Sequence, residues 1–429
     1  LSEPLKIAVA GLGTVGAGTL ALLAAHGDLL ARRCARRVEV RAISARDRDR
    51  DRGVALSGFE WCDSALALAE ADVDVVVELI GGEDGVALDL VRAALARGKH
   101  VVTANKALIA RHGGELARAA EAAGVTLAFE AAVAGGIPII KVLREGLAGN
   151  GIDRVYGILN GTCNYILTTM RDTGREFDDI LAEAQDLGYA EADPAFDIDG
   201  IDTAHKLAIL SAVAFGCDPD FDAVHVEGIR HVSPLDLAFA DDLGYRIKLL
   251  GLARVGEHGL EQRVHPCMVP QSAPIAHVEG VFNAVVADGD FVDSTMHEGR
   301  GAGAGPTASA VVADLVDIAR GKSVPTFSVP ATDLQSLPAV PIARRYGAYY
   351  VRLMVVDRPG VIADITGSLR DHQVSMEALI QRARKPGEPV PVVMTTHDVE
   401  EAAMRASLDQ IAELETVVEP PRMIRIEQL

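Results

Sequence analysis

Asp202 and Lys206 are spaced i, i+4, which on a helix puts a carboxylate and an ammonium on one face, ~6 Å apart along the axis. The residues that follow, Leu207 to Phe215, are apolar nearly all round, so the pattern predicts a helix inside a domain. Just upstream, Gly188-Tyr189-Ala190-Glu191-Ala192-Asp193-Pro194 brings a further carboxylate, Glu191, to the same segment. Charges at the mouth of a buried helix are costly unless something charged binds there. The plain alternative is an exposed intrahelical ion pair worth ~0.3–0.5 kcal/mol, and the apolar helix body argues against exposure. Asp193, Asp197 and Asp199 crowd the segment without the glycine and terminal glutamate of an EF-hand. His205 points elsewhere on the helix and is read as structural.

A second set of residues suits a dinucleotide. Gly11, Gly13 and Gly16 lie between an apolar strand and an apolar-periodic helix, with Thr14 and Val15 inside the turn. Glycines there permit a tight turn and close backbone approach, and the helix N-terminus attracts a pyrophosphate. The second strand ends at Ser44-Ala45-Arg46 with no acid to take a ribose 2′-hydroxyl. Arg46 suits a 2′-phosphate and favours NADP, with NAD the alternative because Asp47 competes. Lys106 follows the fourth strand at the carboxyl edge of the sheet, where ligands sit; a lone surface lysine is the other reading. Glu130 precedes the turn Val133-Ala134-Gly135-Gly136-Ile137-Pro138, and it either caps the next helix, the reading its residues favour, or joins backbone carbonyls around a hard monovalent cation. Gly301, Gly303 and Gly305 let backbone approach a nicotinamide or form a hinge.

The elements that position these groups fall into three domains. Strands near 5–10, 38–43, 72–79, 100–103 and 125–129 alternate with helices, which predicts an α/β Rossmann-type, doubly wound parallel sheet over residues 1–135, completed by 300–322. Longer strands over 245–255, 262–269, 282–287 and 291–297 predict an α+β substrate and dimerisation domain over 136–322. Residues 323–346, rich in proline and without periodicity, read as a linker. From 347 to 429 the order β, α, β, β, α, β predicts a ferredoxin-like module.

Composition narrows the class. The chain has 429 residues, enough for two or three cores, and 49% are hydrophobic against 24% charged, as in ordinary globular proteins. A net charge of -20 argues against nonspecific contact with nucleic acid or an anionic membrane. Five cysteines without CxxC spacing read as thiols in a reducing compartment, the cytoplasm. No apolar run is expected to approach the ~20 residues that span a bilayer, and the alternating-charge run Arg46 to Arg52 is expected to be a solvated loop.

The motifs together resemble homoserine dehydrogenase. They are Gly-Leu-Gly-Thr-Val-Gly (11–16), Thr-Ala-Asn-Lys (103–106), Ile-Leu-Asn-Gly-Thr-Cys-Asn-Tyr-Ile (158–166), Gly-Tyr-Ala-Glu-Ala-Asp-Pro (188–194), Asp-Gly-Ile-Asp-Thr-Ala-His-Lys (199–206) and Gly-Ala-Gly-Ala-Gly-Pro-Thr-Ala (301–308). The last module resembles an ACT domain, with Asp357-Arg358-Pro359-Gly360-Val361 at its first strand–helix turn. With no kinase segment, the chain resembles the monofunctional branch.

The resemblance implies reversible NAD(P)H-dependent reduction of L-aspartate 4-semialdehyde to L-homoserine, in threonine, methionine and isoleucine biosynthesis. It implies Lys206 as proton donor, Glu191 and Asp202 at the substrate's amino end, and Lys106 beside cofactor and substrate. Gly188 and Gly305 join Gly11, Gly13, Thr14, Val15, Gly16, Arg46 and Lys106 at the cofactor. It also implies a sodium ion held by Glu130, Val133, Gly135 and Ile137, reversing the preference for a cap, and a homo-oligomer, dimer or tetramer. An amino-acid effector, threonine, would act through the ACT module. Rival readings are a different semialdehyde dehydrogenase and an amino-acid sensor on the same scaffold. The chemistry agrees: hydride addition to an aldehyde builds negative charge on oxygen, and an ammonium can protonate it.

Overall fold

The computed structural model describes residues 3–191, 193–382 and 387–429. Its first sheet has six parallel strands: β1 (Leu5–Ala10), β2 (Val38–Ser44), β3 (Glu60–Trp61), β4 (Val75–Glu78), β5 (His100–Thr103) and β6 (Leu127–Ala128). Their spatial order is β3-β2-β1-β4-β5-β6, so the chain reverses direction of travel between β1 and β4. Period-2 alternation sorts their side chains onto two covered faces. Ile7, Val9, Val75 and Val77 pack under α1 (Thr14–Cys34), while Ala8, Ala10 and Val76 face α2 (Val86–Ala96) and α3 (Lys106–Ala122). The doubly wound sheet expected from the sequence is thus present.

Helix α1 corrects one expectation. It is long and apolar enough, by length and composition, to cross a membrane. It nevertheless begins at the glycine turn, carries Arg32 and Arg33 in its last turn, and buries Leu20, Leu23 and Leu30 against the sheet. These are the features of a helix packed by one face on the sheet of a folded domain.

After a 3-10 turn at Glu130–Ala132, the short α4 (Ile139–Lys141) leads through a π-helical turn to β7 (Ile152–Ile158), α5 (Gly161–Thr173), α6 (Phe177–Asp186), α7 (Ala195–Ile198) and α8 (Ile201–Phe215). Every residue of α8 from Asp202 to Val213 is buried, as its composition requires. Then come β8 (His225–Val226), α9 (Pro234–Asp242), β9 (Tyr245–Gly256), β10 (Gly259–Pro270), β11 (Phe282–Gly289) and β12 (Asp293–Arg300). The last strand starts two residues later than expected, because the hairpin turn reaches Asp293, whose φ is 57°. Helix α10 (Ala304–Ala319) returns to the first domain and packs on α1, so closely that a Cβ on Gly18 would lie 2.6 Å from the Ala304 oxygen.

The C-terminal module is not tethered loosely. It holds β13 (Tyr346–Gly347), β14 (Tyr349–Val356), α11 (Val361–Asp371), β15 (Met376–Ile380), β16 (Pro389–Thr396), β17 (Val399–Glu400), α12 (Glu401–Ala412) and β18 (Arg422–Ile426). Strand β18 adds in parallel to β10 through Cys267↔Arg425 and Met268↔Ile426, giving one ten-stranded sheet across both domains. Buried ion pairs reinforce the seam: Glu427 accepts from Arg345 at 3.0 Å and Arg263 at 3.3 Å, and Asp236 from Arg352 at 2.7 Å. Residues 323–346, expected as a linker, lie on the body. Phe327 is fully buried, and backbone bridges join Cys217 to Gln335 and Leu260 to Ala339.

Candidate active site

Asp202 stands in the first turn of α8 with its carboxylate between two ammonium groups. Oδ2 meets Lys206 Nζ at 2.7 Å, and Oδ1 meets Lys106 Nζ at 3.0 Å. Lys206 Nζ also donates to the Leu159 carbonyl at 2.7 Å, which uses two of its three N–H groups. Lys106 lies at the start of α3, its ammonium 5.5 Å from the Phe196 ring centre, and its side chain is 34% exposed. One lysine is thus buried beside the carboxylate and the other looks outward from it.

Asn160, which sequence reasoning did not single out, organises this cluster. Its amide nitrogen donates to Asp202 Oδ2 and to Asp197 Oδ1, both at 2.8 Å, while its amide oxygen caps α5 at the Cys163 N–H. The signal was present in the Asn-Gly-Thr-Cys-Asn run, but nothing in the spacing told which helix it would face. Burial alone would push the Asp202 carboxyl up. The charges of Lys206 and Lys106, with hydrogen bonds from Lys206 and Asn160, instead hold it well below the usual carboxylate range. Burial would lower Lys106, but the charge and hydrogen bond of Asp202, then Asp197 and Glu191, raise it above an ordinary lysine. Asp197 moves the other way, raised by burial and by neighbouring Asp202. Glu191 is exposed, its carbonyl bound by the Gln185 amide at 2.9 Å. His205 is buried and stacked 4.1 Å from Phe221, a packing role, as its place on the helix suggested.

The glycine turn has the shape a pyrophosphate needs. Gly11 has φ 93°, and a Cβ there would lie 2.4 Å from the Leu79 oxygen; at Gly16 it would lie 2.1 Å from the Gly11 oxygen. At Gly13 a Cβ would meet nothing within 4 Å, so the backbone leaves room in front of α1, whose first turn holds Thr14 and Val15. Gly305 lies in the first turn of α10, near α1, and Gly188 ends α6 at φ 73°; both are exposed. Arg46 is exposed beyond β2.

The loop after Arg46 is not merely solvated, which corrects that expectation. Arg52 folds back so that its Nε donates to the Leu12 carbonyl of the glycine turn at 3.1 Å, and Arg48 lies over Trp61 at 5.5 Å. Glu78, fully buried at the end of β4, was also missed. It accepts from the Ile80 and Gly81 N–H groups and from Thr103 Oγ1 at 2.6 Å, and so fixes the loop that meets Asn105 and Lys106.

Glu130 is buried, and its two oxygens accept the Ile140 and Lys141 N–H groups, each at 2.9 Å. The cap read from its residues is therefore realised. Burial first, and Asp314 second, push its carboxyl up to about 7 despite those hydrogen bonds. Val133 and Ile137 are buried beside it, and Ala134 and Gly135 take successive left-handed conformations with φ 54° and 46°. A buried acid short of positive charge, next to a turn of backbone carbonyls, fits a small monovalent cation.

Three family models match: "Homoserine dehydrogenase" over residues 138–316, "Homoserine dehydrogenase, NAD binding domain" over 11–130, and "ACT domain" over 349–416. The chain is 47% identical to a homoserine dehydrogenase of Pseudomonas aeruginosa, with 100% of each chain covered. It is 44% identical to that of Neisseria gonorrhoeae, covering 100% of this chain and 99% of the relative. Among solved structures, a homoserine dehydrogenase from Thiobacillus denitrificans superposes with a TM-score of 0.94 at 47% identity, over 99% of this chain and 98% of that one. A hyperthermophilic archaeal homoserine dehydrogenase in complex with NADPH covers 73% of this chain and 97% of its own, with a TM-score of 0.63 at 28% identity.

The depressed Asp202 carboxyl makes a pH-dependent prediction. A folded pKa below the unfolded 3.8 contributes stability that is complete above that value and lost as pH falls beneath it. Asp202→Asn should therefore cost about 3–5 kcal/mol near neutrality, since it strands two cations. Urea unfolding of both proteins should show the gap shrinking below pH ~4. A gap that stays constant with pH would separate Asp202 from the lysines.

Proposed function

The chain belongs to the homoserine dehydrogenase family, and from that membership we propose that Lys206 hands a proton to the aldehyde oxygen of L-aspartate 4-semialdehyde as L-homoserine forms. The bound nicotinamide supplies the hydride. The observation that carries this reading is the ammonium held on two sides, by Leu159 O and Asp202 Oδ2, with one N–H left over. A lysine so fixed, its ammonium paired with the Asp202 carboxylate, is placed to serve as acid. Asp202 has both oxygens engaged, so its main work here is to orient Lys206 and Lys106. Exposed Glu191 then carries the substrate's α-ammonium, with Lys106 at the open side of the site.

Gly11, Gly13 and Gly16 cradle the pyrophosphate at the N-terminus of α1, and Gly188 and Gly305 flank the nicotinamide end. Arg46 takes the 2′-phosphate, making NADP the preferred cofactor and NAD the lesser one. Steady-state kinetics with homoserine and semialdehyde test both assignments. Lys206→Ala should lower turnover in both directions by at least ~10²-fold. Arg46→Ala should raise KM for NADPH about tenfold and leave KM for NADH nearly unchanged. Parent-like turnover in the first variant, or equal shifts in the second, would remove those roles.

Glu130, with carbonyls of Val133, Gly135 and Ile137, holds a sodium ion in this reading. Because the Glu130 pKa is raised from 4.5 to about 7, the carboxyl costs stability progressively as pH climbs through that range. Sodium chloride should then raise Tm over choline chloride well above pH 7, with the difference fading near pH 5 and absent in Glu130→Gln. Identical melts in the two salts would leave Glu130 as a cap only.

The ACT module is read as the sensor of threonine, an end product of the pathway, at the turn around Gly360. Because β18 completes the catalytic sheet, the test keeps the full chain rather than truncating it. Threonine should inhibit the parent and lose its effect in Gly360→Ala, where φ is +97°. Undiminished inhibition would place the sensor elsewhere. A second copy is expected to pair on the open β12 edge, beside the preceding turn where Phe291 is 87% exposed, and Phe291→Asp should halve the mass seen by light scattering. The five free thiols support a reducing, cytoplasmic setting.

A further inference from the structure

The seam between the catalytic domain and the C-terminal module holds a half-open cavity of about 650 Å³, a volume typical of small-molecule sites. Its wall is formed by α12 and β18 on one side and by residues 227–236 on the other. We propose that this cavity binds a small zwitterionic amino acid with an apolar side chain, its carboxylate on Arg422 and its ammonium on Asp409. Its occupation reaches Asp202 through Glu227 and Ile198. The proposal builds on the reading of the C-terminal module as a sensor, but places a ligand at a second position, inside one chain.

Four observations carry it. The first is charge. Arg422 is half-buried at the cavity wall, and its guanidinium has no hydrogen-bond or ion-pair partner among the described residues, in a chain with 61 acidic and 41 basic side chains. A free guanidinium in so acidic a protein is an anchor for a carboxylate. The second is the opposite charge. Asp409 reaches the same cavity from α12, exposed and likewise unpaired among the described residues. The other carboxylates at the wall are already engaged: Glu227 with Arg425 and Arg405, and Asp236 with Arg352. The third is the apolar remainder of the wall, where Val232, Leu408, Pro420 and Met423 suit a hydrocarbon side chain better than a hydroxyl.

The fourth is a continuous path to the site. Buried Arg425 grips Glu227 at 2.8 and 2.9 Å and Glu401 at 2.7 Å, so the module's last strand and its second helix hold one end of the 227–229 segment. The other end lies on the turn before α8. The Ile229 N–H donates to the Ile198 carbonyl at 2.9 Å, and a Cβ on Gly228 would stand 2.3 Å from that same oxygen. Asp197, one residue earlier, shares Asn160 with Asp202. A shift of Glu227 therefore presses on the turn that sets the Asp202 carboxylate.

Calorimetry on the full chain, with L-leucine and L-methionine as probes, tests the site. Binding should weaken at least tenfold in Arg422→Gln, disappear in Ala412→Trp, and persist in Gly360→Ala. Isovalerate and isoamylamine, each lacking one charge, should bind at least tenfold more weakly than L-leucine. Amide exchange across 198–202 should slow when L-leucine is bound. Absence of binding to the parent would overturn the proposal, as would loss in Gly360→Ala with retention in Arg422→Gln, which puts the ligand at the glycine turn. Binding without any change in exchange would overturn the transmitted effect. Homoserine turnover and its inhibition by threonine, measured on the same samples, report separately on the dehydrogenase and sensor readings.

Discussion

The arrangement depends on a carboxylate that two ammonium groups share. Asp202 is buried at the first turn of an apolar helix, where an unpaired charge would cost several kcal/mol. Lys206 and Lys106 neutralise it from opposite oxygens, and Asn160 adds a third bond. In return the carboxylate fixes the position of both cations. The surrounding elements serve this constraint. Helix α8 is buried along its length so that its first turn stays dry, while α3 begins at the sheet edge so that Lys106 enters from the nucleotide side. Glu78 and Thr103 lock the loop between them.

Electrostatics divides the labour among residues of one chemical type. Asp202 is held ionised by its cations, whereas Asp197 and Glu130 are pushed up by burial and by neighbouring acids. Three carboxylates within one polypeptide thus differ because of placement. Only the first is flanked by two lysines in direct contact. The same logic explains why a helix cap and a cation site need not compete at Glu130. Each oxygen accepts one N–H and keeps further lone-pair capacity, and the residual charge deficit is what a small ion would relieve.

Much of this was legible in the sequence. The glycine triplet between strand and helix, the alternation of strands and helices over the first 130 residues, and the i, i+4 pair at 202 and 206 each follow from periodicity. What escaped were contacts made by chain segments far apart. Asn160 touches Asp197 and Asp202 only because α5 and α8 converge, and no local spacing encodes that. Arg52 lay in a run of alternating charge that looked solvated, yet one member turns back to the Leu12 carbonyl. The sheet shared by β10 and β18 was invisible for the same reason. Each strand's pattern reports which face is buried but not which edge finds a partner.

That shared sheet has a consequence for how the protein is made. Strand β18 is the last element in chain order, and about 150 residues separate it from β10. At roughly 5–20 residues per second, the ribosome leaves the edge of β10 without its neighbour for ~8–30 s. During that interval a nascent catalytic domain leaves the Cys267–Met268 stretch of that edge unpaired, β8 already covering Arg263 and Val264, and such a stretch can recruit foreign strands. Chaperone cover over this window would then bear on its yield.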